Sequence, residues 1–97
     1  MNEFERMRLR AQRYKEQFPP GTRIMLLHMG DDPDPVKDGT RGTVIAVDDV
    51  ATVHCKFDDG RSLGIVPGED GFRKLTDLEL AEEFENEGES ESPDLKM

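Results

Sequence analysis

The chain has 97 residues and a net charge of −9, with 34% hydrophobic and 36% charged residues. This length allows one domain with a small core, which leaves no room for a deep enclosed active site. A single cysteine excludes an intramolecular disulfide, and no segment approaches the ~20 apolar residues of a membrane span. The charged N-terminal stretch does not resemble a signal peptide, so we expect a cytoplasmic protein without membrane contact.

The charge is distributed unevenly along the chain. Residues 1–18 carry a net charge of +2, residues 19–76 carry −3, and residues 77–97 carry −8. The negative balance is therefore mainly a property of the C-terminal tail. An acidic chain is a poor nonspecific ligand for nucleic acid, but this argument says less about the central part alone.

Residues 2–17 predict an amphipathic helix. Apolar residues recur at helical spacing, which places them on one face, and basic residues occupy much of the remainder. Pro19-Pro20 ends the helix, because a residue that precedes proline avoids helical geometry. The apolar face either packs on the rest of the domain or docks a partner, and both interpretations stay open. Its members are Phe4, Met7, Ala11, Tyr14 and Phe18.

The central part predicts a meander of short antiparallel strands. β-branched segments alternate with Asp-Gly-type turns, of which Asp59-Gly60 is the clearest hairpin signal. In so short a chain such a meander is expected to close into a small barrel. The predicted strands are residues 22–29, 41–47, 51–57, 61–66 and 72–75.

The C-terminal part begins with a capping box, in which Glu79 follows Thr76 by three residues. We expect a short helix from there to about Glu85 and disorder over residues 87–97, where too little apolar surface is available for packing. The predicted organisation is a helix over residues 1–18, a barrel over 19–75, and a short helix with an acidic tail over 76–97.

Neither a catalytic nor a metal-binding motif is recognisable. The loop after Asp31 lacks the glycine and glutamate of a calcium loop, and aspartates recur at turns because they bond local amides. His54 should face away from Cys55, and His28 lies on another strand, which argues against zinc. Cys55 is expected to be buried and inert. We therefore predict no enzyme activity, cofactor, metal or small-molecule substrate.

The remaining candidate is the surface. On the third strand Val53, Cys55 and Phe57 are predicted to point inward, which leaves the alternate residues outward. Small barrels bind partners through exposed strand and loop faces, although scattered solubilising charge is the simpler interpretation. The candidate partner-binding residues are Arg6, Arg10, Arg13, Arg41, His54, Lys56 and Arg61.

A series of motifs follows one another between about residues 18 and 75. They are Pro20-Gly21-Thr22-Arg23, Asp32-Pro33, Gly39-Thr40-Arg41-Gly42-Thr43-Val44, Val47-Asp48-Asp49, Val53-His54, Asp59-Gly60 and Pro67-Gly68-Glu69-Asp70-Gly71-Phe72-Arg73. In this order they resemble the bacterial domain of unknown function 4314, and we expect the N-terminal helix and the acidic tail to lie outside the family domain. Phe57 stands where the family pattern has tryptophan.

This resemblance implies an SH3-like barrel, so the expected fold is mostly β: a five-stranded SH3-like antiparallel barrel with an N-terminal amphipathic helix and a disordered acidic tail. It implies a bacterial protein, in some cases linked to plasmids or phages, and no established activity.

Two functions follow as hypotheses. The first is a monomeric, non-enzymatic module in which the barrel and the arginine-rich helix bind a protein partner. The second is a nucleic-acid-binding barrel whose basic surface is modulated by the acidic tail, since an acidic segment occupies a basic surface electrostatically at low salt.

Overall fold

The computed structural model describes residues 1–30 and 32–85. The described residues form two helices and five strands, and neither helix is long and apolar enough to cross a membrane. The disorder expected for residues 87–97 concerns a segment outside the described residues. In chain order the elements are α1 (Glu3–Gln17), β1 (Arg23–His28), β2 (Arg41–Val47), β3 (Val53–Phe57), β4 (Ser62–Ile65), β5 (Gly71–Lys74) and α2 (residues 77–85).

The five strands form one antiparallel sheet in the order β4-β3-β2-β1-β5. The central meander β2-β3-β4 follows the chain, whereas β5 returns to pair with β1 on the far side. This confirms the mostly β fold with an N-terminal helix. The sheet is not closed, because β4 and β5 are its two edges, so the term barrel applies only loosely.

Helix α1 begins and ends where the sequence predicts. The Asn2 side chain caps its start by accepting a hydrogen bond from the amide of Glu5 at 2.8 Å. At the other end the amide of Phe18 donates to the carbonyl of Tyr14 at 2.8 Å, directly before the two prolines. Phe18 at the end of the helix therefore lies in the core, at the point where the chain turns toward β1.

Only the second half of α1 packs on the sheet. Ala11 and Phe18 are buried, and the ring of Tyr14 stacks on Phe18 with centroids 5.9 Å apart. Phe4 and Met7 remain 68% and 43% exposed. The packing interpretation thus applies to the second half of the helix, whereas the apolar side chains of the first half are exposed.

The core lies on the inner face of the sheet. On β3 the alternation is complete: Val53, Cys55 and Phe57 are at most 1% exposed, as predicted, and the residues between them face outward. The core continues across the neighbouring strands and is completed by side chains from loops and from the end of α1. These further members are Phe18, Ile24, Leu26, Met29, Val36, Val44, Val47 and Ile65.

Strand β1 carries apolar side chains on both faces of the sheet, and the two faces differ in how these side chains are covered. Ile24 and Leu26 are fully buried on the inner face. On the outer face Met25 is half-buried beside Arg73, whose Nη2 lies 3.4 Å from the Met25 sulfur. The outer face of β1 is therefore covered by arginines from the neighbouring strands and by α2, while α1 packs on the other side.

One close approach within the sheet requires glycine. Gly42 on β2 lies opposite Phe57 on β3, and a Cβ at this position would lie 2.9 Å from the Phe57 ring and 3.1 Å from the carbonyl of Lys56. Glycine lets the Phe57 ring lie flat against the β2 backbone in the core.

Candidate functional site

The predicted surface residues do not form a single site. Arg6, Arg10 and Arg13 lie along one side of α1 and line a groove of about 520 Å³, which we call the arginine groove. Its other members are Met1, Leu9, Tyr14 and Gln17. No carboxylate among the described residues lies within ion-pairing distance of these three arginines, although Arg10 Nη2 donates to the carbonyl of Pro67 at 3.1 Å. The groove therefore presents positive charge to the surroundings.

A second, more apolar groove adjoins the first half of α1. Phe4, Met7 and Arg8 meet Asp49 and Val50 of the β2–β3 turn around a volume of about 290 Å³, which we call the apolar groove. Val50 is 60% exposed, and Arg8 lies over the Phe4 ring at 5.2 Å. Lys15 anchors the turn to α1 through a 2.6 Å ion pair with Asp49. The sequence predicted the helical face but gave no signal that Val50 would join it.

Arg41 lies on the outer face of the sheet, far along the chain from its partners. Its guanidinium is 3.2 Å from Glu83 and 3.9 Å from both Glu79 and Glu82, all on α2. Two further arginines surround it, Arg23 on β1 and Arg73 on β5. We call Arg23, Arg41 and Arg73 together the arginine face.

All three arginines of this face are occupied by carboxylates. Arg23 makes forked pairs with both Asp58 and Glu83 and also donates to the hydroxyl of Thr43. Arg73 makes a forked pair with Glu79 at 2.7 and 2.9 Å. Two parallel N–H···O bonds are the strongest form of arginine–carboxylate contact. Neither Arg23 nor Arg73 is predicted as a site residue from the sequence, because nothing in the chain order shows that β5, β1 and β2 are neighbours.

These contacts shift the acidities of the carboxyls involved. The hydrogen bonds from Arg73 and from the Thr76 amide lower the pKa of Glu79 from 4.5 to about 2. Hydrogen bonds from Arg23 lower the pKa of Asp58 and of Glu83, and the same contacts raise the pKa of Arg23. The face and α2 thus stabilise each other in their charged forms.

His54 lies on the outer face of β3 and is held by an aspartate. Its Nε2 is 2.8 Å from Asp48 Oδ2, and this hydrogen bond lowers the pKa of Asp48. Within residues 1–30 and 32–85, neither a hydroxyl nor a thiol group hydrogen-bonds to His54. The pair therefore links the two ends of the β2–β3 turn.

The other two predicted residues are not brought together. Arg61 Nη2 donates to the carbonyl of Asp34 at 2.7 Å and lies 3.8 Å from the same residue's carboxylate, so it ties the long loop to β4. Lys56 is exposed on β3. Cys55 is buried, as predicted, and desolvation raises the pKa of its thiol to about 11, which disfavours the reactive thiolate.

The acidic clusters serve as turn residues. Asp48 accepts hydrogen bonds from the amides of Val50 and Thr52, and Asp70 accepts them from Gly30 and Val66. Asp32 and Asp59 each bond an amide two residues further on. Asp31 lies outside the described residues. Across the described chain, no three His, Cys, Asp or Glu side chains group as metal ligands would.

The fold and surface define a small antiparallel β domain with an N-terminal helix, a charged outer face and two open grooves. The chain belongs to the family described as domain of unknown function (DUF4314), whose model matches residues 7–75. The match begins within α1, so the expectation that the helix lies wholly outside the family is wrong. It ends at Leu75, directly before α2. No curated protein matches the chain.

Proposed function

We propose that the protein is a non-enzymatic interaction module that binds a protein partner through the first half of α1. The observation that carries this proposal is the division of α1. Its second half is buried against the sheet, whereas Phe4 and Met7 border the apolar groove beside Val50. Large exposed apolar side chains that meet around a groove are typical of interaction surfaces.

The charge around this surface indicates the chemistry of the partner. The arginine groove runs along the same helix, with Arg6, Arg10 and Arg13 spaced along its length. A partner segment that carries apolar residues together with Asp or Glu would fill the apolar groove and pair with these arginines. We further propose that the module acts as a monomer in the bacterial cytoplasm, without a cofactor or small-molecule substrate, and is encoded on a mobile element in some hosts.

The test compares capture of host proteins by three forms of the full chain. Wild type, Phe4→Ser with Met7→Ser, and Ile45→Ser are immobilised after thermal unfolding has shown that each is folded. Ile45 is the matched control because it is 52% exposed on the sheet, away from both grooves. We expect a protein that wild type and Ile45→Ser retain and the double variant loses. Equal capture by all three forms would refute the proposal.

The second candidate function is nucleic-acid binding through the arginine groove. The observation in its favour is that Arg6, Arg10 and Arg13 have no carboxylate partner among the described residues, whereas Arg41 and Arg61 are ion-paired. Three arginines along one helix face provide spaced contacts for phosphates.

Fluorescence anisotropy of the full chain with random RNA and with duplex DNA tests this candidate. The affinity for nucleic acid should fall steeply as the salt concentration rises. Changing one of the three arginines to glutamine should remove about one phosphate contact, which lowers the slope of log affinity against log salt concentration by about one. Absence of binding at low salt would leave the protein-binding function alone. Phe4→Ser with Met7→Ser should not change nucleic-acid affinity, which separates the two candidates.

A further inference from the structure

The contact between α2 and the arginine face is almost wholly electrostatic. The side of α2 that faces the sheet supplies Glu79, Glu82 and Glu83 to the arginines. Its large apolar side chains do not pack there, since Leu78 and Phe84 remain 72% and 75% exposed. The attachment of α2 through surface ion pairs weakens as salt rises.

The surface beneath α2 is organised as a carboxylate receptor. Met25 lies opposite both Arg41 and Arg73, so these arginines flank it on neighbouring strands and their Cα atoms are about 10 Å apart. Arg23 lies two residues earlier on the same face of β1. Glu79 and Glu83, one helical turn apart, occupy Arg73 and Arg23 together. The face therefore matches acidic residues at helical spacing.

The receptor and its cover belong to different parts of the chain. Arg23, Arg41 and Arg73 all lie within the family match, which ends at Leu75. Helix α2 follows after only Thr76 and lies outside the match. The arginine face thus lies within the part of this chain that the family model matches, whereas the acidic helix that occupies it lies outside that part.

We propose that the arginine face is a second binding surface, specific for an acidic helical segment of a partner protein, and that α2 covers it within the same chain. The partner segment would carry carboxylates one helical turn apart and replace α2. Binding of single-stranded nucleic acid is less well matched, because the described outer face around these arginines presents no aromatic ring on which a base could stack. Because it is tethered, α2 competes at an effective concentration on the order of millimolar.

The test uses the full chain with Glu79→Gln, Glu82→Gln and Glu83→Gln, which keeps the length of α2 but removes the three charges that face the arginines. The probe is a fluorescein-labelled peptide with the sequence of residues 76–97, measured by anisotropy at low salt. We expect the triple variant to bind the peptide at least tenfold more tightly than wild type does. The control Glu85→Gln, on an exposed glutamate of the same helix, should behave as wild type. Equal binding by the triple variant and wild type would overturn the proposal.

Two further variants locate the site within the triple variant. Arg41→Gln with Arg73→Gln should abolish peptide binding, whereas Arg6→Gln with Arg13→Gln, which removes equal charge from the arginine groove, should leave it unchanged. The reverse result would assign the peptide to α1 and refute the proposal. Tighter binding of duplex DNA or random RNA than of the peptide, lost with Arg41 and Arg73, would refute a protein partner. If the triple variant does not fold, the single variant Glu83→Gln is compared with wild type instead. It should bind the peptide at least threefold more tightly, and a smaller increase in affinity would overturn the proposal.

Discussion

Arg73 on β5 and Glu79 on α2 form a forked ion pair, with Nη1–Oε1 and Nη2–Oε2 distances of 2.7 and 2.9 Å. Glu79 also accepts a hydrogen bond from the Thr76 amide, while the Thr76 hydroxyl accepts one from the Glu79 amide. One carboxylate therefore both closes the capping box that starts α2 and fixes the helix to the sheet. Strand and helix are joined by charge at the point where the family match ends.

Acid should release α2 before it unfolds the sheet. The pKa of Glu79 falls from 4.5 to about 2 in the folded protein, and the pKa values of Glu83 and Asp58 are lowered too. A lowered folded-state pKa contributes stability that is fully present above pH 4.5 and is lost as the pH falls toward 2. The protection factors of the amides of residues 77–85, measured by NMR from pH 6 to pH 2 and corrected for the pH dependence of intrinsic exchange, should fall within this window. Unchanged protection at pH 2 would contradict the prediction.

Arg23 should contribute to the stability of the whole domain. Its side chain is 21% exposed and joins Asp58, Glu83 and Thr43. Arg23→Gln leaves Asp58 without its arginine and Glu83 with Arg41 alone, so we expect a loss of about 1–2 kcal/mol in the free energy of unfolding. Urea denaturation measures this loss. Arg13→Gln, which changes an arginine that has no carboxylate partner among the described residues, is the control and should change the free energy by less than about 0.5 kcal/mol.

The third strand should be the most sensitive to truncation. Phe57 and Val53 are buried at the centre of the core, so Phe57→Ala should cost about 3–5 kcal/mol and Val53→Ala should cost less. A loss of this size unfolds a small domain of ordinary stability. Circular dichroism at 25 °C would show this directly. Val50→Ala, at an exposed turn position, should remain folded; if Phe57→Ala does too, the assignment of the inner face is wrong.

Gly42 should not tolerate even one added methyl group. A Cβ there would lie 2.9 Å from the Phe57 ring, which is itself fixed in the core. Overpacking of this kind typically costs about 1–3 kcal/mol. Gly71→Ala is a matched control on β5, because its Cβ would meet Leu27 at an ordinary 3.5 Å. Thermal unfolding should therefore separate the two variants, and equal midpoints would show that the β2–β3 contact adapts.

The two halves of α1 should respond differently to the same substitution. Tyr14 stacks on Phe18 and is half-buried, so Tyr14→Ala should lower the free energy of unfolding by about 1–3 kcal/mol. Met7 borders the apolar groove and is 43% exposed, so Met7→Ala should change it little. Similar losses in both variants would show that the whole apolar face belongs to the core, against the proposed docking function.

The local structure was largely predictable from the sequence because it depends on neighbouring residues. The two prolines end α1, the Asp59-Gly60 turn joins β3 to β4, and the alternation on β3 places Cys55 inward. Each signal acts within a few residues. The predicted third strand began too early, since Ala51 takes a positive φ of 64° in the turn before it. Alanine gives no sequence signal for that conformation.

The sequence by itself determined the elements, the inner face of the sheet and the acidic character of the C-terminal part. Only the tertiary structure decided which charges meet. It brings Arg23, Arg41 and Arg73 together because β5 pairs with β1, a contact between segments about 50 residues apart. It also buried Ala11 and left Phe4 and Met7 exposed, because only the second half of α1 lies against the sheet. Periodicity along the helix predicts which side chains share a face, but the position of the strands determines which of these side chains are buried.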